Sequence, residues 1–397
     1  MRTALMIGSL GAFFNLYQLQ ALFPALVERF GTTATGAGWL TMASLLGMMI
    51  TAPITGAVTK RANPSTLLIA GFLTLAAINA SIAFTTRQDV LFAMRLGQGI
   101  VIPSLLTATM NLVSQHPRSF VPLYVTGTIV GSTLSRFYPA WSVDAIGWKL
   151  GFLSSACLMV LAAVAICLLP KATLPRTTLP ETTLLKTAGA GPTQCAERHQ
   201  TPVTYIRRAL TDNTLLIAYL AGFALLFTQS AVFTALGLWL SQEPYHWDSQ
   251  QIGTIYLACL PALFFVLTSS VLRRYLSEIA IAILLMALIW GSLWLISAMH
   301  MSIPVGVALF AIGTYMFQTV TTQLLSSSRR VPAGVAAGIY LTCYYLGGAM
   351  GASLAAYAFA IWAWSGVVAC IAITQVFIFC LIMGGRYCRR SGKRKSP

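Results

Sequence analysis

Charge is what this sequence has least of. Only 9% of its 397 residues are Asp, Glu, Lys or Arg, against about 25% in an ordinary soluble domain. So few charges cannot cover the surface of a soluble fold of this length, which speaks against one or two water-facing cores. Acidic residues are scarcer still, at nine in the chain. The four His (116, 199, 246, 300) stand apart, and the eight Cys form no CxxC pair and cluster with no His. No metal site is expected from such spacing. There is no GxSxG elbow, phosphate-binding loop or HExxH. No catalytic residue and no cofactor are expected, and an ATP-driven pump is disfavoured.

What the chain does have is hydrocarbon, at 57% hydrophobic residues and a mean hydropathy of +0.76. Apolar runs last about 20 residues, which at about 1.5 Å per residue crosses the roughly 30 Å core of a bilayer. A transmembrane β-barrel would alternate in segments of about 10 residues instead. Spans read at 4–27, 36–58, 66–85, 90–113, 120–143, 149–169, 214–240, 251–271, 279–299, 304–325, 335–358 and 366–384. The expected fold is an all-α integral membrane protein of twelve transmembrane helices in two six-helix bundles. Residues 1–169 form the first bundle, 170–213 a linker loop, 214–384 the second bundle and 385–397 a basic tail. The linker holds Leu174–Thr178 and a near copy, Leu179–Thr183, and reads as a solvated connection. The first apolar run is too long for a cleaved signal peptide and is followed by another span.

A net charge of +16 would suit nucleic acid, but the positions of the Lys and Arg exclude that partner. Twenty of the 25 fall in alternate gaps between spans and in the tail, and three, Arg29, Arg87 and Lys149, fall in the others. That bias places both termini and the linker in the cytoplasm of a multi-pass membrane protein. The Cys lie in spans or, at 195 and 388, on the cytoplasmic side, so no disulfide is expected. The tail reads as an anchor at anionic lipid.

The two remaining cations, Arg95 and Arg136, fall inside spans four and five, roughly 10 Å below the outer surface at 1.5 Å per residue. Facing lipid, each would cost about 2.5–3.5 kcal/mol, so both are expected to face the bundle interior and to share one cavity wall. No acidic residue falls deep enough to neutralise them. Unpaired guanidinium forks suit a carboxylate or phosphate. The competing reading is structural: Arg bonded to backbone carbonyls at a helix break. If protons are coupled, the carrier is an edge group such as Glu28, Asp89 or Asp144, or the substrate itself. Uncharged polar residues mark further candidate substrate contacts: Tyr17 and Gln20, beside Asn15 and Gln18, in span one; Gln98 in span four; Gln229 in span seven; Tyr315 and Gln318 in span ten; Tyr344 and Tyr345, beside Tyr340, in span eleven. Bonding between helices is the competing reading for each. Gly127-xxx-Gly131 and Gly347-Gly348-xx-Gly351 read as close helix contacts.

Arg95-Leu-Gly-Gln-Gly99 matches the RxxQG motif of the same helix in the drug:proton antiporter branches of the major facilitator superfamily, which the chain resembles. Within them it is similar to inner-membrane transporters of the YnfM-like, arabinose-efflux type. Leu16–Pro24, Gly127-xxx-Gly131-xxxx-Arg136 and Ile339–Gly348 support the likeness, which covers the chain except 170–213. The resemblance implies alternating access by rocking of two halves, a monomer, and usually outward transport with proton antiport. The loop after the second span departs from the family's GxxxDRxGRR. It reads Gly56-Ala-Val-Thr-Lys60-Arg61, with Lys60 where the resemblance places a gating Asp. Gly56, Lys60 and Arg61 are the gating candidates. Span five also lacks the GP pair of many antiporters, having Ser132 after Gly131. The chain therefore reads as a secondary transporter of a small molecule, exporting an organic anion or zwitterion such as a carboxylate-rich metabolite or metallophore. An exporter of apolar drugs, an importer of organic acids and a transport-inactive membrane sensor stay open.

Overall fold

A computed structural model describes residues 2–58, 63–113, 117–169, 202–268, 278–298, 302–327, 331 and 333–393. Among them the regular structure is helical, without a strand. The helices are α1 (Arg2–Phe14), α2 (Phe23–Phe30), α3 (Ala34–Val58), α4 (Pro64–Phe84), α5 (Gln88–Val113), α6 (Pro117–Leu168), α7 (Pro202–Thr211), α8 (Asn213–Leu240), α9 (Ser249–Ile255), α10 (Ala262–Leu267), α11 (Glu278–Ala298), α12 (Ile303–Ser327) and α13 (Ala333–Lys393). A 3-10 turn, Tyr256–Cys259, lies between α9 and α10.

Seven of the helical stretches are long and apolar enough to cross a membrane, and three shorter apolar helices accompany them. Two of the seven are of double length. Helix α6 turns back at Gly147, at φ 80°, and α13 turns back at Trp362–Ala363. Gly151 then packs on Val143, and Gly366 on the Ala358 carbonyl, across the two turns. Counted with these turns, the segments number the twelve read from the sequence.

Three boundaries differ from that reading. Span 4–27 is not one helix: α1 stops at Phe14, and residues 15–22 run as successive turns before α2. Pro24 opens α2, where its missing N–H costs nothing. Span 251–271 is divided: α9 yields to the 3-10 turn ahead of Pro261, and α10 follows to Leu267. The linker is not loop as far as residue 213, because its last part is α7, with Ala209 buried. Asp212 then ends that segment by capping α8, accepting from the N–H groups of Thr214 and Leu215 at 2.9 and 3.4 Å.

The close contacts expected of the glycine motifs are present. A side chain at Gly127 would collide with Ser9, and one at Gly131 with the Leu10 carbonyl, so α6 lies against the backbone of α1. Gly347 and Gly351 bring α13 against the carbonyls of Phe223 and Phe227 on α8. Buried apolar side chains form two clusters, each drawing on both halves of the sequence. The Cys recorded among the described residues are free thiols.

Candidate functional site

The break at 15–22 organises the centre of the molecule. An interrupted helix leaves backbone carbonyls without partners, which hydrocarbon does not tolerate. Arg95 on α5 supplies the missing donors. Its Nη1 donates to the Asn15 carbonyl at 2.9 Å and to Gln98 Oε1 at 2.5 Å. Its Nη2 donates to the Leu16 carbonyl at 2.5 Å and to Ser44 Oγ at 2.9 Å. Gln98 lies three residues on, on the same helix face. It donates to Asn79 Oδ1 at 3.1 Å and Gln18 Oε1 at 3.3 Å. Asn79 donates to Asn15 Oδ1 at 2.7 Å, and Asn15 donates to the Gly11 carbonyl at 2.8 Å. Gly99 lets α3 approach so closely that a side chain there would strike the Ser44 carbonyl. Every side chain of this network is buried.

Arg136 on α6 sits at the other end of the break, 1% exposed. Its Nε donates to Gln20 Oε1 at 2.7 Å, and its Nη1 to the Ser132 carbonyl at 2.7 Å. Three aromatic faces enclose the guanidinium: Tyr17 at 4.1 Å, Phe233 at 4.5 Å and Tyr256 at 5.3 Å from the ring centroids. Phe233 comes from α8 and Tyr256 from the 3-10 turn, so the cage is closed by the second half of the sequence. Two hydrogen bonds tie the halves beside it. Ser132 Oγ and the Tyr315 hydroxyl are 2.8 Å apart, and Gln20 Nε2 donates to Thr234 Oγ1 at 3.5 Å. The Tyr256 hydroxyl is held by the Phe233 carbonyl at 2.7 Å. Each polar partner of Arg136 is neutral. Desolvated cation–π contacts are worth about 2 kcal/mol, so the cage offsets only part of the cost of burying this charge.

The structure therefore brings Tyr17, Gln20, Arg136 and Tyr315 into one cage, and Arg95 with Gln98 into a neighbouring network. Both arginines are buried in the bundle interior. They grip opposite ends of residues 15–22 and share no hydrogen-bond partner among the described residues. Tyr344 stacks on Tyr340 at 5.6 Å between centroids and meets Tyr345 edge to face at 5.4 Å, all buried in the apolar cluster that includes Tyr17. Gln229 is buried on α8, one turn before Phe233. Gln318 is half-buried on α12. Gly56 falls in the last turn of α3, while Lys60 and Arg61 lie outside the described residues. Sequence reasoning missed Ser44, Asn79, Phe233 and Tyr256. Asn79 had a signal, as a lone amide in an apolar span. The aromatics had none, because a ring in a span is ordinary.

Comparison with known proteins agrees with this architecture. The sequence signature of the Major Facilitator Superfamily matches residues 5–352. The inner membrane transport protein YnfM of Escherichia coli (strain K12) is 26% identical over 400 residues, covering 98% of this chain and 90% of that protein. A chloramphenicol resistance protein of Streptomyces lividans is 27% identical over 255 residues, 62% of this chain and 58% of that one. The fold superposes on the inward-facing, unoccupied structure of a bacterial homologue of the human lysosomal transporter Spinster, with a TM-score of 0.71, 14% identity and 96% of each chain covered. Helix count, paired turns and sequence signature together assign this chain to the Major Facilitator Superfamily.

Proposed function

We propose that this transporter exports a small organic anion or zwitterion, with Arg136 as the charge that binds it. The carrying observation is a guanidinium enclosed between the two halves without a carboxylate partner. A buried, unneutralised cation is costly, and an anionic substrate fits as the group that relieves it. Arg136, Tyr17, Gln20 and Tyr315 form the first contacts, and Gln229, Gln318, Tyr344 and Tyr345 line the approach. Arg95 and Gln98 position the broken segment that presents Tyr17 and Gln20. The units 1–169 and 214–384 rock about this centre, with 170–213 joining them. Gly56, Lys60 and Arg61 belong to the gate at the end that carries the termini, which faces the cytoplasm by the charge bias of the loops. The protein works as a monomer, and transport is proton-coupled.

The test is comparative metabolite profiling of cells and medium for a strain with the intact chain, a deletion, and the deletion carrying Arg136→Ala. An organic anion or zwitterion held inside the deletion, released by the intact chain and still held with Arg136→Ala, is the expected result. Identical profiles in all three strains would overturn the reading. Likeness to a chloramphenicol resistance protein favours a second reading, the export of apolar drugs. It requires drug resistance that survives Arg136→Ala.

A further inference from the structure

A phenol hydroxyl is both donor and acceptor, and within a membrane core it is ordinarily bonded to a neighbour. Several tyrosines at the centre of this molecule follow the rule. Tyr315 pairs with Ser132, Tyr256 with the Phe233 carbonyl, and Tyr340 with Thr321 at 3.3 Å. Three others do not. Among the described residues, the hydroxyls of Tyr17, Tyr344 and Tyr345 have no hydrogen-bond partner. The Tyr219 hydroxyl on α8 also lacks one, but it is fully enclosed in the apolar cluster. The other three residues are buried as well, at 6, 7 and 5% exposed, yet their hydroxyl oxygens are not enclosed. What surface these side chains keep therefore includes the polar atom.

The space they face lies between the halves, not against lipid. The Tyr17 ring covers Arg136 from the broken segment of the first half. Tyr344 and Tyr345 come from α13 in the second half. Tyr17 and Tyr315 are neighbours of the Tyr344 hydroxyl, and Tyr17 and Tyr124 of α6 are neighbours of the Tyr345 hydroxyl. The stacking of Tyr344 on Tyr340 uses ring faces for packing and leaves the hydroxyl edges free. Past Arg136, toward the end remote from the termini, the halves are shut. A side chain at Gly253 would strike Ala140, and one turn further the Gln250 N–H donates to Asp144 Oδ2 at 2.6 Å.

We propose that the hydroxyls of Tyr17, Tyr344 and Tyr345 select the uncharged part of the substrate, so that the anion carried is an oxygen-rich acid, bearing hydroxyl or carbonyl groups, and not an alkyl acid. The inference rests on the reading of Arg136 as the anion site and adds a second determinant to it. A guanidinium does not tell apart two acids of equal charge. Hydroxyls beside it do. An alkyl chain laid against them leaves three buried polar groups unpaired, whereas oxygen atoms at the same places pair them. Sites built to hydrogen-bond a substrate reject the analogue that lacks the matching group.

The test is equilibrium binding to the full chain in lipid nanodiscs, using radiolabelled acids in pairs matched for carbon skeleton and charge. The pairs are gluconate with hexanoate, tartrate with succinate, and quinate with cyclohexanecarboxylate. In at least one pair the oxygenated acid is expected to bind at least about tenfold more tightly, the size of one good hydrogen bond. Tyr344→Phe with Tyr345→Phe keeps both rings and should remove most of that preference by weakening the oxygenated acid alone. Its melting temperature should not fall, because no protein hydrogen bond is lost. Tyr219→Phe removes an enclosed hydroxyl and should leave the preference unchanged. If the double variant does not fold, either single variant decides in the same way. A parent with no preference for the oxygenated member of any pair, or a preference that survives the Phe substitutions, overturns the proposal. Arg136→Gln separates this from the underlying reading. Acids bound without regard to oxygen content, and lost with Arg136→Gln, leave the anion site standing and remove the tyrosine selection. Acids bound equally well by Arg136→Gln overturn the anion site itself.

Discussion

Arg95 and Arg136 are both buried guanidiniums, yet removing them should have opposite consequences. Arg95 satisfies the carbonyls of Asn15 and Leu16 and the side chains of Gln98 and Ser44. Arg95→Ala orphans these acceptors, each worth about 1–3 kcal/mol when buried. We expect a clear loss of melting temperature and of folded yield, read by thermal denaturation of the purified protein. Arg136 donates to a flexible amide and to a carbonyl of its own helix, and the Tyr315 hydroxyl lies within its reach, so its polar partners are fewer and softer. Arg136→Met removes an unneutralised charge and keeps the bulk, so its melting temperature should be unchanged or raised while anion binding is lost. A variant as unstable as Arg95→Ala would show that Arg136 is structural. Both residues were legible in the sequence, because a charge in an apolar run is conspicuous. Their division of labour was not. It depends on where the carbonyls of residues 15–22 point, and nothing between Ala12 and Phe23, a stretch without Gly or Pro, announces that the helix stops.

At the scale of elements, small residues set how closely the helices pack, and those were visible as spacings. The same residue type has opposite meanings at different places. Gly131 stands against the Leu10 carbonyl, whereas Gly291 on α11 has nothing within 4 Å of where its side chain would be. Gly131→Ala should therefore cost about 1–3 kcal/mol by forcing α6 from α1. Gly291→Ala should be neutral or gain up to about 1 kcal/mol, since helical Gly is entropically unfavourable. Melting temperatures of the pair decide it, and equal losses would refute the packing assigned to α1 and α6. The helix α7 escaped the sequence reading because Arg207 and Arg208 make its window polar. Its neighbour α8 was legible from hydropathy alone. The bends at Gly147 and Trp362–Ala363 fell where the apolar runs were read as separate spans, so the helix count survived although the chain stays helical up to each bend.

Across the whole molecule, the loop charges predicted a topology, but which loop meets which was not readable. Gln250 and Asp144 are 106 residues apart, and no local pattern pairs them. The same holds at the opposite end, where α3 meets α13. A side chain at Gly338 would place its Cβ 3.6 Å from Pro53 Cβ, inside the roughly 3.5–4.5 Å that a disulfide requires. If the halves rock, these helices must separate at this end once in each cycle. Pro53→Cys with Gly338→Cys should then cross-link on oxidation and lower transport by at least about tenfold, the usual measure of a gate held in one state. Reductant should restore the rate, and each single variant should keep it. The cage offers an internal check. With this end locked shut, Cys259, 1% exposed in the 3-10 turn beside Tyr256, should be reached by an impermeant thiol reagent only from the face remote from the termini. Transport that continues unchanged through the cross-linked protein would mean that α3 and α13 move as one body. The axis of rocking would then have to lie elsewhere in the bundle.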